Sequence, residues 1–195
     1  MIDIEDIELL KRNISTLKET SKDNHDGDDF YMTQSSLPVI DFDKVKDEYI
    51  CDISISEIPK SNDALYIKDE HLVFIEFKNG QVKGKKQFDI RLKIFDSLLI
   101  ITDIINKGIS YTRKNMDYIL VYNDDKNFLF EKKENIQDSF SRDEITKRIH
   151  GLANKELIRF GLERFQKLYF HEVHTYTIQE FEEKFVGLYS STDII

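Results

Sequence analysis

Three residues in the stretch SNDALYIKDEHLVFIEFKNG, residues 61–80, could do chemistry together: Asp63, Glu76 and Lys78. The apolar runs 64–67 and 72–77 flank a polar break, Lys68-Asp69-Glu70-His71, which is the composition of strand, turn, strand. A turn centred on Asp69 and Glu70 sets Asp63 directly opposite Glu76, and opposed residues share a face of the sheet. Lys78 returns to that face because the strand period is two. Two carboxylates and an ammonium then meet at one end of an apolar hairpin. Carboxylate oxygens in pairs suit a hard cation, magnesium or manganese. Such an ion acidifies water and polarises a phosphoryl oxygen, and a neighbouring lysine orients the water or offsets developing charge. Nothing in the stretch suits hydride or acyl transfer.

Asp63, twelve spacer residues, and then Glu76-Phe77-Lys78 resembles the active site of the PD-(D/E)xK, or restriction-endonuclease-like, nuclease superfamily. The position before the aspartate is Asn62 where the family name has proline. The resemblance spans roughly residues 60–123. It implies an acidic pair on adjacent core strands, a helix after the E-x-K strand, and a metal-dependent hydrolase of phosphodiesters. By that resemblance Asp63 and Glu76 bind Mg2+ or Mn2+, and Lys78 completes the catalytic set. It also asks for a third acidic ligand from an early helix, for which Glu48 is the first candidate and Glu8 the second. Polar residues on the following helix would contact phosphate: Lys85, Lys86, Gln87 and Arg91.

A purely structural reading stands beside this one. The chain is 33% charged, so E-x-K recurs by chance, at 131–133 and 182–184. Only Glu76 closes a Val-Phe-Ile run, where an exposed carboxylate is unusual. An ion pair at the hairpin end would use the same three residues. Register decides between them, since a slip of one residue sends Asp63 to the opposite face.

The net charge of −9 opposes casual binding to nucleic acid, whose affinity rests on Lys and Arg. Its distribution is uneven. Residues 1–29 are net acidic, whereas 79–93 hold Lys83, Lys85, Lys86, Arg91 and Lys93 against Asp89 alone. A basic patch one residue beyond Lys78 is what a phosphodiester needs. DNA is expected over RNA, with a protein partner to deliver so acidic a chain to its substrate. The alternative function is a non-catalytic, immunity-type protein on a nuclease-like fold, using its acidic N-terminal region on a basic partner.

The elements that must position these residues follow from periodicity. Apolar positions Ile4, Ile7, Leu10, Ile14 and Leu17 predict an amphipathic helix over 2–21. A short helix is expected around 44–48 and a strand over 49–55. The hairpin precedes a helix from about 85 to 106, whose wide apolar surface predicts that it is largely buried, packed across the sheet. Asp117-Tyr-Ile-Leu-Val-Tyr122 is a buried strand, with 127–131 pairing to it. Ser141 with Glu144, and Thr177 with Glu180, are capping boxes for helices over 141–153 and 178–186. A further helix is expected over 155–167 and a strand over 168–176. His171 and His174, three apart on that strand, face opposite ways, and His25, His71 and His150 are scattered.

The architecture expected is α/β (α+β being the near alternative): a central mixed sheet flanked by helices. One domain spans 1–195, made of an acidic N-terminal helix and turn (1–29), a nuclease-like core (45–123) and C-terminal helices and strand (124–195). The lone Cys51 excludes an internal disulfide, and the acidic first residues MIDIEDIELL lack the basic start of a secretory leader. A cytoplasmic protein without a membrane span is expected.

Overall fold

The computed structural model describes residues 7–23, 29–127 and 157–190. Its centre is a mixed six-stranded sheet flanked by helices, an α/β fold. In chain order the elements that matter here are α1 (Glu8–Lys11), β1 (Ile14–Thr16), α2 (Leu17–Thr20), β2 (Lys22–Asp23), β3 (Phe30–Tyr31), β4 (Pro38–Asp41) and α3 (Phe42–Tyr49). There follow β5 (Ala64–Lys68), β6 (His71–Lys78), α4 (Lys85–Ile104), α5 (Ile109–Asn115), β7 (Met116–Tyr122), β8 (Val173–Thr177) and α6 (Ile178–Phe181). The sheet order is β1-β4-β5-β6-β7-β8. Pairing is antiparallel from β1 to β6 and parallel from β6 to β8. Helices α4 and α5 supply the crossover that a parallel β6–β7 pair requires.

The β5–β6 hairpin has the register its sequence predicts. Ala64 opposes Ile75, Tyr66 opposes Val73 and Lys68 opposes His71. Asp69 and Glu70 form the two-residue connection, both with left-handed backbone at φ 51° and 64°. This is the twist a tight hairpin needs, obtained without glycine. Leu65, Leu72 and Phe74 therefore face α3 and α4, packing with Phe42, Val45, Ile90, Ile94, Leu98 and Ile101. Ala64, Tyr66, Val73, Ile75 and Phe77 face the other way, onto Leu17, Met32, Phe181 and Phe185. A sheet covered on both sides explains why β6 and β7 read as nearly continuous apolar runs.

Several expectations are corrected. The helix over 2–21 is, in its described part, a single turn, an edge strand and a second single turn. Asn13 ends the first turn: its side-chain amide donates to Leu9 O and to Glu48, while its carbonyl accepts from Asp41 N. Ile14, on the helical repeat, is 63% exposed on β1. The strand over 49–55 does not form, because β4 already occupies the free edge of β5; residues 51–58 are exposed and irregular. Helix α4 is present, but buries one face only, and Phe88, Phe95 and Leu99 are exposed.

Of the helix over 155–167, the described residues form only a 3-10 turn, Glu163–Phe165. Left-handed backbone at Phe160 and Gly161, φ 61° and 67°, prevents an α-helix there. The strand over 168–176 is confined to Val173–Thr177. The Thr177–Glu180 capping box is formed, opening α6, which continues as a π-helical turn over Glu182–Val186. The 141–153 helix with its Ser141–Glu144 box, and all but the first residue of the 127–131 strand, lie outside the described residues. Among the described residues no helix is long and apolar enough to cross a membrane.

Candidate active site

Asp63 enters the sheet one residue before β5, and Glu76 lies on β6 across from it, on the α4 face. Asp63 Oδ2 accepts a hydrogen bond from Phe77 N at 2.6 Å, which fixes the carboxylate against the end of β6. Glu76 has no solvent exposure. Lys78 Nζ lies 2.5 Å from Glu76 Oε1. The three residues singled out by spacing are thus brought together.

A fourth joins them. Lys93, in the middle of α4, places its ammonium 2.9 Å from Asp63 Oδ1 and 2.9 Å from Glu76 Oε2, donating to both. Glu76 Oε1 is 2.8 Å from the same nitrogen. Two carboxylates and two ammoniums make a compact, charge-balanced cluster. Burial and the neighbouring Asp63 charge push the Glu76 carboxyl up, against the pull of Lys78 and Lys93. Burial by itself would lower the Lys93 ammonium, but Glu76 and Asp63 more than offset it and hold the group protonated.

Lys93 was legible only as part of a basic patch. The signal that could have found it is a polar stripe at helical spacing on an otherwise apolar helix: Lys86, Asp89, Lys93, Asp96 and Ser97. That stripe holds the approach to Asp63. Asp96 accepts from Lys60 N, Ser97 Oγ accepts from Asn62 N, and Asp89 pairs with Lys60 at 3.2 Å. Asn62 is fully buried.

The other candidates divide. Glu48 does not reach the cluster; it pairs with Arg12 at 2.6 Å and accepts from Asn13, bracing α1 against α3. Glu8 is exposed on α1. The acid that α3 carries to the site is Asp43, in its first turn, whose carboxylate accepts from Ser61 Oγ. Burial raises the Asp43 carboxyl, the Ser61 bond lowers it, and the Asp63 charge raises it further. The helix expected around 44–48 begins one residue too late to include it. Lys86 lines the site, but Lys85, Gln87 and Arg91 do not. Arg91 points away towards Gly161, with its Nη2 3.0 Å from where a Cβ there would lie.

The cluster opens into a cleft of about 740 Å³. Asp63, Phe77, Lys78 and Lys93 line it, with Lys86 and Asp89 of α4, Asp41, Asp43 and Lys44 around the start of α3, and residues 19–23. Asn79 ties the cleft together at the end of β6. Its amide donates to Asp23, and its Oδ1 accepts from Asn123 and from Lys126 Nζ at 3.3 Å.

The histidines also depart from expectation. His71 and His171 share one carboxylate, Asp117, at 2.7 and 3.1 Å, at the opposite end of β6 from Glu76. His171 precedes β8 and is not on it; His174 stacks on Tyr176.

The donor set suits a hard cation in two respects. Both carboxylates stand at the same end of adjacent strands, Asp63 lining an open cleft and Glu76 buried behind it. Glu76 Oε1 is buried and accepts no well-directed hydrogen bond, although both ammoniums are close. Among the described residues, however, no three His, Cys, Asp or Glu side chains are gathered as a ready ligand set. No protein-family model matches the chain, and no curated protein or solved structure matches it either.

Proposed function

We propose that this protein is a metal-dependent nuclease of the PD-(D/E)xK type, hydrolysing phosphodiester bonds, with DNA favoured over RNA. The observation that carries the reading is the convergence of Asp63, Glu76 and Lys78 on one sheet face at the mouth of a lysine-lined cleft. Asp63 and Glu76 would hold Mg2+ or Mn2+, which when bound would acidify a water and neutralise charge on the phosphoryl group. Asp63 is oriented for this by the Phe77 N–H on Oδ2, which leaves Oδ1 to the Lys93 ammonium that a metal would displace. Lys78, a quarter exposed, can turn its ammonium towards a phosphate oxygen and stabilise charge that develops there. Burial of Glu76 keeps water from competing for its oxygens.

A second reading is favoured by Lys93, which donates to both carboxylates and offsets their charge without any metal. On that reading the fold is kept and the protein acts by contact with a basic partner through its acidic surface. One experiment separates the two. Purified protein is incubated with manganese or magnesium and a panel of DNA and RNA, beside Glu76→Ala. Cleavage by the wild type, absent from the variant and in chelator, is the expected result. Absence of cleavage in every arm overturns the nuclease reading and leaves the contact reading.

A further inference from the structure

Helix α4 has a second apolar side that the sheet does not use. Ile90, Ile94, Leu98 and Ile101 pack into the core. Phe88, Leu92, Phe95 and Leu99 form a row on the opposite side, at spacings of four, three and four. The described residues leave this row open: Phe88 is 59% exposed, Phe95 39% and Leu99 67%. Phe165 and Tyr169 meet the Phe95 ring edge to face, with centroids 5.5 and 5.8 Å away, and still leave it exposed. Alternating spacings of four and three are those of a coiled-coil seam, whose natural cover is another helix.

The charges at the two ends of α4 identify that helix. Lys85, one turn before Phe88, and Asp103, one turn after Leu99, are both exposed and lie on the same flank of the row. Each sits at the wrong end of its own helix, since the N-terminal end disfavours a cation and the C-terminal end an anion. A second α4 laid antiparallel corrects both. With Phe88 against Leu99 of the second copy, and Leu92 against its Phe95, an aromatic ring meets a leucine at every level. Lys85 then comes beside Asp103 of the second copy, and the two-fold axis repeats the contact. A parallel pair would instead set Lys85 on Lys85 and Asp103 on Asp103. Asp89 and Asp96, nearer the centre of that flank, are already held by Lys60, the first by its ammonium and the second by its N–H.

We infer that α4 is a self-association surface, through which two copies of this chain pair antiparallel into a two-fold dimer. This does not rest on the nuclease reading. Lys86 and Lys93, which line the cleft, project roughly a third of a turn away from the row, so the pairing leaves both clefts open. A single helix seam covers less surface than a standard interface, so the dimer is weak, with a Kd on the order of 10 µM or above.

The test is sedimentation velocity of the full chain from about 5 to about 500 µM, a range that brackets such a Kd. Salt of about 0.15 M screens the net charge of −9, which would otherwise oppose self-association. Proteins compared are the wild type, Phe88→Glu/Leu99→Glu, Lys85→Glu, Asp103→Lys, and the double reversal Lys85→Glu/Asp103→Lys. All four positions are exposed, and circular dichroism checks that each variant is folded. The wild type should pass from monomer to dimer across the range, and Phe88→Glu/Leu99→Glu should stay monomeric. Each single reversal should weaken the dimer at least fivefold, about the worth of two exposed ion pairs lost together, and the double reversal should restore it. A wild type that is monomeric at every concentration overturns the inference and leaves the row to a partner of different sequence. A dimer that survives Phe88→Glu/Leu99→Glu overturns the surface. Single reversals without effect, or a double reversal that fails to rescue, overturn the antiparallel pairing.

Discussion

Lys93 Nζ stands 2.8 Å from one oxygen of Glu76 and 2.9 Å from the other, so a single ammonium spans a carboxylate that has no solvent exposure. With Asp63 on its other side, the same nitrogen closes the gap in which a cation shared by the two acids would sit. This contact makes α4 part of the site and gives the first prediction.

Replacing Lys93 by Met leaves two carboxylates with only Lys78 to offset them. Breaking such a buried pair from one side costs about 3 kcal/mol. The Lys93→Met protein should melt well below the wild type, and magnesium or manganese should raise its Tm more than it raises the wild type's. A metal-induced rise no larger than in the wild type would show that the ammonium and the metal do not compete for the same oxygens.

Lys78 is the most exposed member of the cluster and pairs with Glu76. Its loss should act on turnover more than on folding. Lys78→Ala is expected to lower kcat by about 10²-fold, the cost typical of one lost charge-stabilising donor. A fall in substrate affinity with kcat intact would instead mark Lys78 as a binding residue.

The Asp117 pair of histidines makes stability depend on pH. The Asp117 hydrogen bond raises the His71 imidazole against the lowering effect of burial. The histidines and the Glu172 N–H lower Asp117 despite its burial. A raised histidine stabilises fully below its unfolded value of 6.5, and that contribution is lost as pH rises through the folded value. A lowered aspartate stabilises above its unfolded value of 3.8, lost as pH falls through the folded one. The difference in Tm between wild type and Asp117→Asn should therefore be greatest between about pH 4 and 6.5 and shrink on the alkaline side. A difference that grows from pH 7 to 9 would contradict this assignment.

Asp69 and Glu70 hold left-handed backbone, which asparagine and glycine adopt at less cost. The double change Asp69→Asn/Glu70→Gly should stabilise the protein by about 1 kcal/mol in urea unfolding, since the hydrogen bond that Tyr111 Oη donates to the turn is accepted by the backbone carbonyl of Glu70 and survives the change. A lower midpoint at unchanged m would refute the turn geometry.

How far the sequence determined this protein can be read from two places. The hairpin was legible because its information is local. A four-residue polar break between apolar runs centres the turn on Asp69 and Glu70, and that turn sets the register in which Asp63, Glu76 and Lys78 share a face. Helix α4, the β7 strand and the Thr177–Glu180 cap follow from patterns equally short in range. Tertiary structure decided what local pattern could not. Ile14 fits a helical repeat, yet edge pairing with Ile40 draws it into a strand. Lys93 and Asp43 are separated by fifty residues of chain, and only the packing of α3 and α4 on one sheet face brings both to Asp63. His71 and His171 are a hundred residues apart and are joined through Asp117 by strand order alone. Hydrogen-bond periodicity fixes neighbours within an element, but side chains from distant elements meet only where the buried faces of the sheet set the helices and loops down.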